Sequence, residues 1–434
     1  MYILTDMSRG FRGGVHPPEN KFTENQAIAV MPAPKRVYIH FSQHTGKPAK
    51  PLVEKGAEVK IGTKIGESDG FISSTIHSSV AGKVVSIENY PHPVVGSSVS
   101  CVIESTDSDE WEAVAERDPT HMSAEELVTI IKEAGIVGLG GAAFPTHVKL
   151  SPPAEKSIDT LIINGCECEP MLTADHRLML EHAQEIIDGA ALFQRIVKAQ
   201  DLIFSIEDNK KDAAAVLSKA GAQVRTLKTK YPQGAEKQLI KAILNREVPR
   251  GGLPMDVGCV VQNVGTAYAA YQAIRFNKPL IERVVTVTGD GVKEPKNCMV
   301  RVGTPAIDVI NFCGGYVGTP TKILFGGPMM GIAQYSENVP TIKGTSGIIV
   351  WQHAIVHDEG PCVRCSNCID VCPMGLMPTE LFKLVKNKKF DVAKEYGVLD
   401  CIECGCCAYN CPAKIPLVHY LKYGKSEVWR LSRK

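Results

Sequence analysis

Apolar residues alternate over short stretches early in the chain and recur at helical spacing further on. From about Lys35 to Glu104, valine and isoleucine sit two apart between glycines, as in Gly56-Ala57-Glu58-Val59-Lys60-Ile61-Gly62-Thr63-Lys64-Ile65. That is the pattern of short strands joined by tight turns, and the stretch Ile76 to Val85 repeats it loosely. A linker at about Thr106 to Thr120 precedes a change of period. Ser123 to Ala134 predicts a helix: Leu127, Ile130 and Ile131 share a face, and Ser123 with Glu126 three residues on forms an N-terminal cap. The pattern then predicts a strand at Thr160–Ile163, one long helix from about Thr173 to Lys198, a strand at Asp201–Ile206 and a helix at Lys211–Ala220. A strand at Gln223–Leu227 and a helix at Ala235–Leu244 complete the series. Strands alternating with helices imply a largely parallel, helix-covered sheet. A strand at Arg283–Thr288 opens a Gly-rich β-containing segment reaching about Trp351, and a helical part with Lys- and Glu-rich linkers begins near His357. The chain therefore divides at 1–120, 121–280, 281–356 and 357–434, an α/β multi-domain protein.

The N-terminal pattern resembles the barrel-sandwich fold of biotinyl and lipoyl carrier domains. Such carriers present a lysine at a hairpin tip, where this chain has Glu67-Ser68-Asp69-Gly70. The module is accordingly expected to be structural rather than a carrier.

Composition narrows the class. Hydrophobic residues make up 44% and charged residues 22%, an ordinary globular balance. A formal net charge of +1, with no basic stripe, excludes nucleic acid as a partner. No run of 18 apolar residues exists to span a bilayer. Met1 to Gly14 has two arginines and no apolar core, so no secretory signal is expected there. The expected location is the cytoplasmic side of the membrane, peripherally docked. The tail from Ile415 to Leu431 mixes apolar and basic residues, as expected of an end helix packed on its own domain.

Fifteen cysteines change the picture, because eight fall into two regular runs. The first is Cys362-x-x-Cys365-x-x-Cys368-x-x-x-Cys372-Pro373, and the second Cys401-x-x-Cys404-x-x-Cys407-x-x-x-Cys411-Pro412. Two intervening residues let the chain curl so that successive thiolates reach neighbouring corners of one cubane. The proline turns the chain away after the fourth cysteine. Zinc favours two pairs of ligands, which this is not. Each run matches the bacterial ferredoxin pattern, in which three cysteines clasp one [4Fe–4S] cluster and the fourth crosses to the other. One cluster is expected on Cys362, Cys365, Cys368 and Cys411, and the other on Cys401, Cys404, Cys407 and Cys372. Cys406, out of register, is expected to be a packed thiol.

Two clusters form a relay, which needs a donor. Gly138-Leu139-Gly140-Gly141-Ala142-Ala143-Phe144-Pro145-Thr146 is preceded by a helix and followed by Phe-Pro, so it is not a Rossmann turn. It still bares backbone N–H groups to a phosphate or a planar ring, with Lys149 just beyond. Asn164-Gly165-Cys166-Glu167-Cys168-Glu169-Pro170 follows one strand, and Gln262-Asn263-Val264-Gly265-Thr266 follows apolar Val260 and Val261. In open α/β sheets, ligands bind beyond the carboxyl ends of strands.

The Gly-rich loop, these two segments, Gly326-Gly327-Pro328 and the cysteine runs occur in an order that resembles the flavoprotein subunit of respiratory complex I. That subunit has a non-Rossmann α/β domain for FMN and NADH and a β-grasp (SLBB-type) segment, but a single cluster and no barrel-sandwich. With the barrel-sandwich, the second cluster motif and the opening Gly13-Gly14-Val15-His16-Pro17-Pro18, the chain resembles the RnfC family of Rnf complexes, ion-translocating ferredoxin:NAD oxidoreductases. The resemblance implies FMN and NAD(H) beside the two clusters and, as partners, the membrane subunits and the ferredoxin-interacting iron–sulfur subunit. By the same likeness, Gly138, Gly140, Gly141 and Lys149 hold the FMN phosphate and ribityl chain, Asn164 lies near the isoalloxazine, and Asn263 and Thr266 lie near the phosphate end. Phe144 stacks on nicotinamide or adenine, and Glu169 with Glu167 meets ribose hydroxyls or orients the nicotinamide. Tyr231 and Glu236 match a tyrosine-to-glutamate stretch of the complex I site in part. Leu139 stands where that family has arginine and Gly265 where it has glutamate, so flavin contacts differ in detail. No general acid, base or nucleophile is implied. The alternative is a cluster-wiring subunit whose flavin site is vestigial.

Overall fold

The computed structural model describes residues 10–106 and 108–432. Most of the stretch read as lacking a secretory signal, 1–9, lies outside the described residues.

The first module is a barrel-sandwich of two small sheets. Strands Arg36–His40, Gly96–Ser105, Gly82–His92 and Glu58–Val59 form one, and Lys50–Pro51, Lys64–Glu67 and Ile76–His77 the other. Val37, Ile39, Phe41, Val59, Ile65, Ile76, Val84 and Ile103 close the core between them. The alternation seen in the sequence is thus the inward face of each strand. His40 and His77 are buried in this module. Burial, then the neighbouring His92, pushes His40 down to about 3. Burial, then Lys343 and Lys64, pushes His77 down to about 3. Both rings stay neutral in the folded chain while the unfolded chain protonates them near 6.5. The stability they support is present above pH 6.5 and is lost as pH falls from there toward 3, at up to about 3 kcal/mol per pH unit for the pair. Hydrogen exchange of peptides spanning residues 36–40 and 76–77 should accelerate between pH 7 and 5.5, and His77→Gln should roughly halve the dependence. Exchange independent of pH, after correction for intrinsic rates, would refute this.

The central domain is a four-stranded parallel sheet in the order Val224–Leu227, Asp201–Glu207, Thr160–Asn164, Cys259–Asn263. Leu161, Ile162 and Ile163 are apolar without alternation because helices cover both faces. The helix Ala124–Glu133 carries the expected reciprocal cap between Ser123 and Glu126, an arrangement contributing about 1 kcal/mol. The single helix expected from Thr173 to Lys198 is instead two, Ala174–Glu181 and Ala183–Val197. His182 leaves helical geometry at φ −131°. Glu181 accepts the backbone N–H of Ile28 and the guanidinium of Arg177, and the His182 ring packs 4.9 Å from that of Tyr268. These tertiary ties override the continuous helical periodicity. The break lets the second helix lie along Val264–Phe276, crossing it at Gly189.

The third segment is a six-stranded mixed sheet covered by the helix Ala306–Phe312. Its edge strand, Ile28–Val30, comes from the N-terminal region and pairs in parallel with Lys296–Arg301, so this part of 1–120 belongs with the third segment rather than with the barrel-sandwich. The stretch after Thr106 is strapped down rather than free. Ile61 bridges to Trp111, and Arg117 donates to the carbonyls of Ala273 and Ile274, satisfying the open end of the Val264–Phe276 helix. In the C-terminal domain, Leu417–Ser432 buries Leu417, Leu421, Gly424 and Val428 against Leu381, Val385 and their neighbours.

Candidate electron-transfer site

Strands Thr160–Asn164 and Cys259–Asn263 lie side by side in register, which sets Asn164 directly opposite Asn263 at their carboxyl ends. The chain leaves the first of these strands toward Asp201–Glu207 on one side and returns on the other, so this is where the strand order reverses and where open α/β sheets bind ligands.

The Gly-rich loop arches over that point. It closes on itself through Gly138 N–H to Phe144 O at 2.8 Å, and it is tied to the Val264–Phe276 helix by Leu139 N–H donating to Thr266 Oγ1 at 2.9 Å. Gly141 takes φ +120°, which only glycine adopts readily. Among the described residues the N–H groups of Gly140, Gly141 and Ala142 make no hydrogen bond, and all three residues are exposed. Three open donors in succession on a bare backbone suit a phosphate. Buried polar atoms of Thr146 and Gln233, on segments flanking Asn164 and the loop, also lack partners among the described residues. These features fit FMN.

Asn164 donates its amide to Gly234 O at 2.9 Å and accepts from Cys166 N. Asn263 caps the Val264–Phe276 helix through Gly265 and Thr266 N–H, and donates at 2.6 Å to Asp175. Lys149 is paired with Glu236 at 2.6 Å, both partly exposed. Phe144 is half-buried beside the loop. The Gly-rich loop, Asn164, Asn263 and Thr266 therefore come together, while Lys149 and Glu236 come together as a pair. Glu167, Glu169 and Tyr231, expected to face a nucleotide, spend their polar atoms elsewhere. Glu167 accepts Asp175 and His176 N–H at the start of the Ala174–Glu181 helix. Glu169 accepts the N–H groups of Met329 and Met330 from the third segment. Burial pushes its carboxyl up to about 7 against those bonds. Tyr231 donates its hydroxyl to Cys404 O at 2.8 Å.

Three contributors escaped the sequence. Lys21 donates to the carbonyls of Glu167, Glu169 and Leu172, and Arg283 donates to Leu139 O. Asp175 sits beneath Asn263, its carboxyl raised to about 7 by burial and then by the charge of Glu167. An acid in the first turn of a helix after Thr173 was the available signal for Asp175. Lys21 and Arg283 arrive from other modules and had none.

The cysteine runs share one backbone course. Arg364 and Ser366 in the first, and Glu403 and Gly405 in the second, take positive φ at equivalent places between the cysteines. Each coil thereby turns its thiols to one side. No two of the fifteen cysteines are joined by a disulfide. Cys362, Cys365, Cys368 and Cys411 line a cavity of about 270 Å³, so the fourth member comes from the other run. Cys407 lies within electrostatic reach of Cys401, Cys404 and Cys372. Among the described residues no three His, Cys, Asp or Glu side chains gather at the range of a single ion. Thiols spread around a void suit a cubane, whereas one zinc would draw four sulfurs together. Backbone N–H groups of Leu376 and Glu403 point at Cys372 and Cys401 Sγ, each at 3.4 Å. Cys406 is buried with its Sγ 4.0 Å from Tyr231 O, a packed thiol.

The second quartet abuts the central domain. Besides Tyr231, Gln238 donates to Pro373 O at 3.2 Å and Arg250 pairs with Asp400 at 2.5 Å, while from the N-terminal region Gly14 N–H donates to Val371 O. The first quartet faces outward, with Cys362 and Cys365 exposed.

Family models match in the same order: an RnfC barrel sandwich hybrid domain over 9–109, a Nuo51 FMN-binding domain over 131–272, an SLBB domain over 284–333 and a 4Fe-4S dicluster domain over 354–412. The chain is 49% identical to the C subunit of the proton-translocating ferredoxin:NAD(+) oxidoreductase complex of Clostridium ljungdahlii, over 97% of this chain and 94% of that one. It is 42% identical to the Na(+)-translocating counterpart of Acetobacterium woodii, over 98% of each. It is also 38% identical to the C subunit of the ion-translocating oxidoreductase complex of Rhodobacter capsulatus, over 98% and 85%. Among solved structures, the NAD+-reducing [NiFe]-hydrogenase in the air-oxidized state shares the fold, with a TM-score of 0.51 at 18% identity over 73% of this chain and 68% of that one.

Proposed function

Because the chain belongs to the RnfC family of ion-translocating ferredoxin:NAD(+) oxidoreductase complexes, we propose that its strand-end site exchanges electrons with NAD(H) and passes them first to the second cysteine quartet and then to the first. The chain is an electron-transfer subunit that holds FMN and two [4Fe–4S] clusters, with the other members of the complex as partners. NADH gives up two electrons as hydride while a cluster takes one, and the flavin, when bound, exchanges both kinds.

The observation that carries the order is the Tyr231 hydroxyl on Cys404 O at 2.8 Å, which joins the strand-end site to the second quartet. Gly138, Gly140, Gly141, Asn164, Asn263 and Thr266 hold the flavin, with the open N–H groups of the loop meeting its phosphate. Lys149 and Glu236 stand at its rim, and Phe144 faces the nucleotide. Glu167, Glu169 and Tyr231 act as supports: the first fixes the helix below Asn263, the second ties the third segment to the strand end, and the third fixes the cluster domain. Asp175, Lys21 and Arg283 hold the loop and strand end in place. Burial of the second quartet keeps water and oxygen from it, while exposure of the first lets a partner approach. No helix among the described residues is long and apolar enough to cross a membrane. We place the chain on the cytoplasmic face, held there by the membrane-embedded partners.

The test is the full chain purified without air, with iron, sulfide and flavin quantified. About eight irons and one flavin per chain are expected, and flavin absorption should bleach on adding NADH. Clusters without bound or bindable FMN would support the vestigial-site alternative. A colourless chain free of sulfide would refute both.

A further inference from the structure

The Gly-rich loop turns open N–H groups toward a phosphate but carries no cation of its own, since 138–146 holds only Gly, Leu, Ala, Phe, Pro and Thr. Lys149, just beyond, is matched by Glu236 at 2.6 Å. A positive charge reaches the loop from behind instead. Arg283, on the strand Glu282–Thr288 of the third segment, is buried. Its N–H groups go to the carbonyls of Val284, Lys343 and Leu139, and to no carboxylate among the described residues. The contact with Leu139 O is 3.4 Å. That oxygen belongs to the same peptide as Gly140 N–H, and in a trans peptide the two point opposite ways. The guanidinium therefore stands behind the peptide whose open N–H is presented at exposed Gly140.

The surroundings hold it there. Lys343 O takes another arm of the guanidinium, and Gly344 beside it rests on the loop, where an added Cβ would lie 3.4 Å from Ala143 Cβ and 3.6 Å from Gly141 O. Leu139, Asp175 and Arg283 line one cavity of about 40 Å³. Asp175 is the acid whose charge Arg283 feels, and its carboxyl is already engaged by the Asn263 amide. The other charged residues of the cavity, Lys278 and Glu282, pair with each other. A buried cation with no carboxylate in contact is costly to a fold, and an anion on the far side of one peptide offsets that cost. We propose that Arg283 is a positioning residue that supplies the counter-charge for the flavin phosphate, acting through the Leu139–Gly140 peptide. It polarises that amide and makes cofactor binding in the central domain depend on the third segment.

This inference rests on the reading that the loop's open N–H groups meet the flavin phosphate, and the experiment separates the two. The full chain, with its clusters in place and its flavin dialysed away, is titrated without air at pH 8 with FMN and with riboflavin, which lacks the phosphate. At that pH Asp175, raised to about 7, is ionised. Arg283→Gln should weaken FMN binding about tenfold, as expected of one charge acting across a partly buried peptide, and leave riboflavin binding unchanged. Arg283→Lys, which keeps the charge, should recover most of the loss. Asp175→Asn, close in shape, removes the opposing charge and should tighten FMN but not riboflavin. It decides the matter where Arg283→Gln loses iron and so fails to fold. An equal loss for both flavins in Arg283→Gln, or no loss for either, would overturn the proposal and leave the site reading intact. So would unchanged FMN binding in Asp175→Asn where that variant is the deciding one. A wild-type chain that binds the two flavins equally would sink both.

Discussion

Cys372→Ser is expected to remove the cluster built on Cys401, Cys404 and Cys407 and to spare the one built on its own sequence neighbours. Iron should fall from about eight to about four per chain, since a serine hydroxyl is a poor substitute for the fourth thiolate of a cubane. The expectation follows from where the thiols stand. The cavity bounded by Cys362, Cys365 and Cys368 is closed by Cys411 and not by Cys372. Cys372 lies instead within electrostatic reach of Cys404 and Cys407, and its backbone is pinned from the other side, with a Cβ on Gly13 lying 2.7 Å from Cys372 O. Because the second quartet is the one joined to the strand-end site through Tyr231, the variant should also uncouple the surviving cluster from NADH. Dithionite should still reduce that cluster fully. EPR after each reductant distinguishes the outcomes, and loss confined to the first-run cluster would overturn the crossed ligation.

What the sequence made legible was what neighbours in sequence decide. Ligand spacing in the cysteine runs is local, and so is the cap formed by Ser123 and Glu126, and the structure carries both features. The carboxyl ends of Thr160–Asn164 and Cys259–Asn263 could be picked out because apolar strands stop at polar residues, and their register brings the two asparagines together. The roles of Glu167, Glu169 and Tyr231 were not legible. Glu169 answers backbone N–H groups 160 residues away, and Tyr231 answers a carbonyl 173 residues away. A carboxylate near a predicted site reads the same whether it meets a ribose or a backbone turn. The break at His182 was hidden for a similar reason, since Ile28 and Tyr268 create it from a distance.

The same long-range packing makes Gly189 the position where the smallest substitution should do the most harm to the flavin site. Nothing in the sequence marks it: it is a glycine inside the helix Ala183–Val197, where alanine would ordinarily stabilise. In the fold, a Cβ there would lie 2.0 Å from Ala267 O and 2.8 Å from Ala267 C. Both are backbone atoms of Val264–Phe276, so no rotamer change relieves the clash and the helices must part. That second helix begins at Asn263, holds the loop through Thr266 and packs along the sheet. Gly189→Ala should therefore cost about 3 kcal/mol, the upper end for overpacking, and lower flavin occupancy while leaving iron content near eight per chain. Ala191→Leu, on the exposed face of the same helix, should leave both unchanged. Wild-type melting temperature and flavin content in Gly189→Ala would show that the crossing yields. With the crossing rigid, the helix start that anchors the Gly-rich loop is set by a contact nearly 80 residues upstream in the chain, and cofactor binding depends on core packing as much as on the residues that touch it.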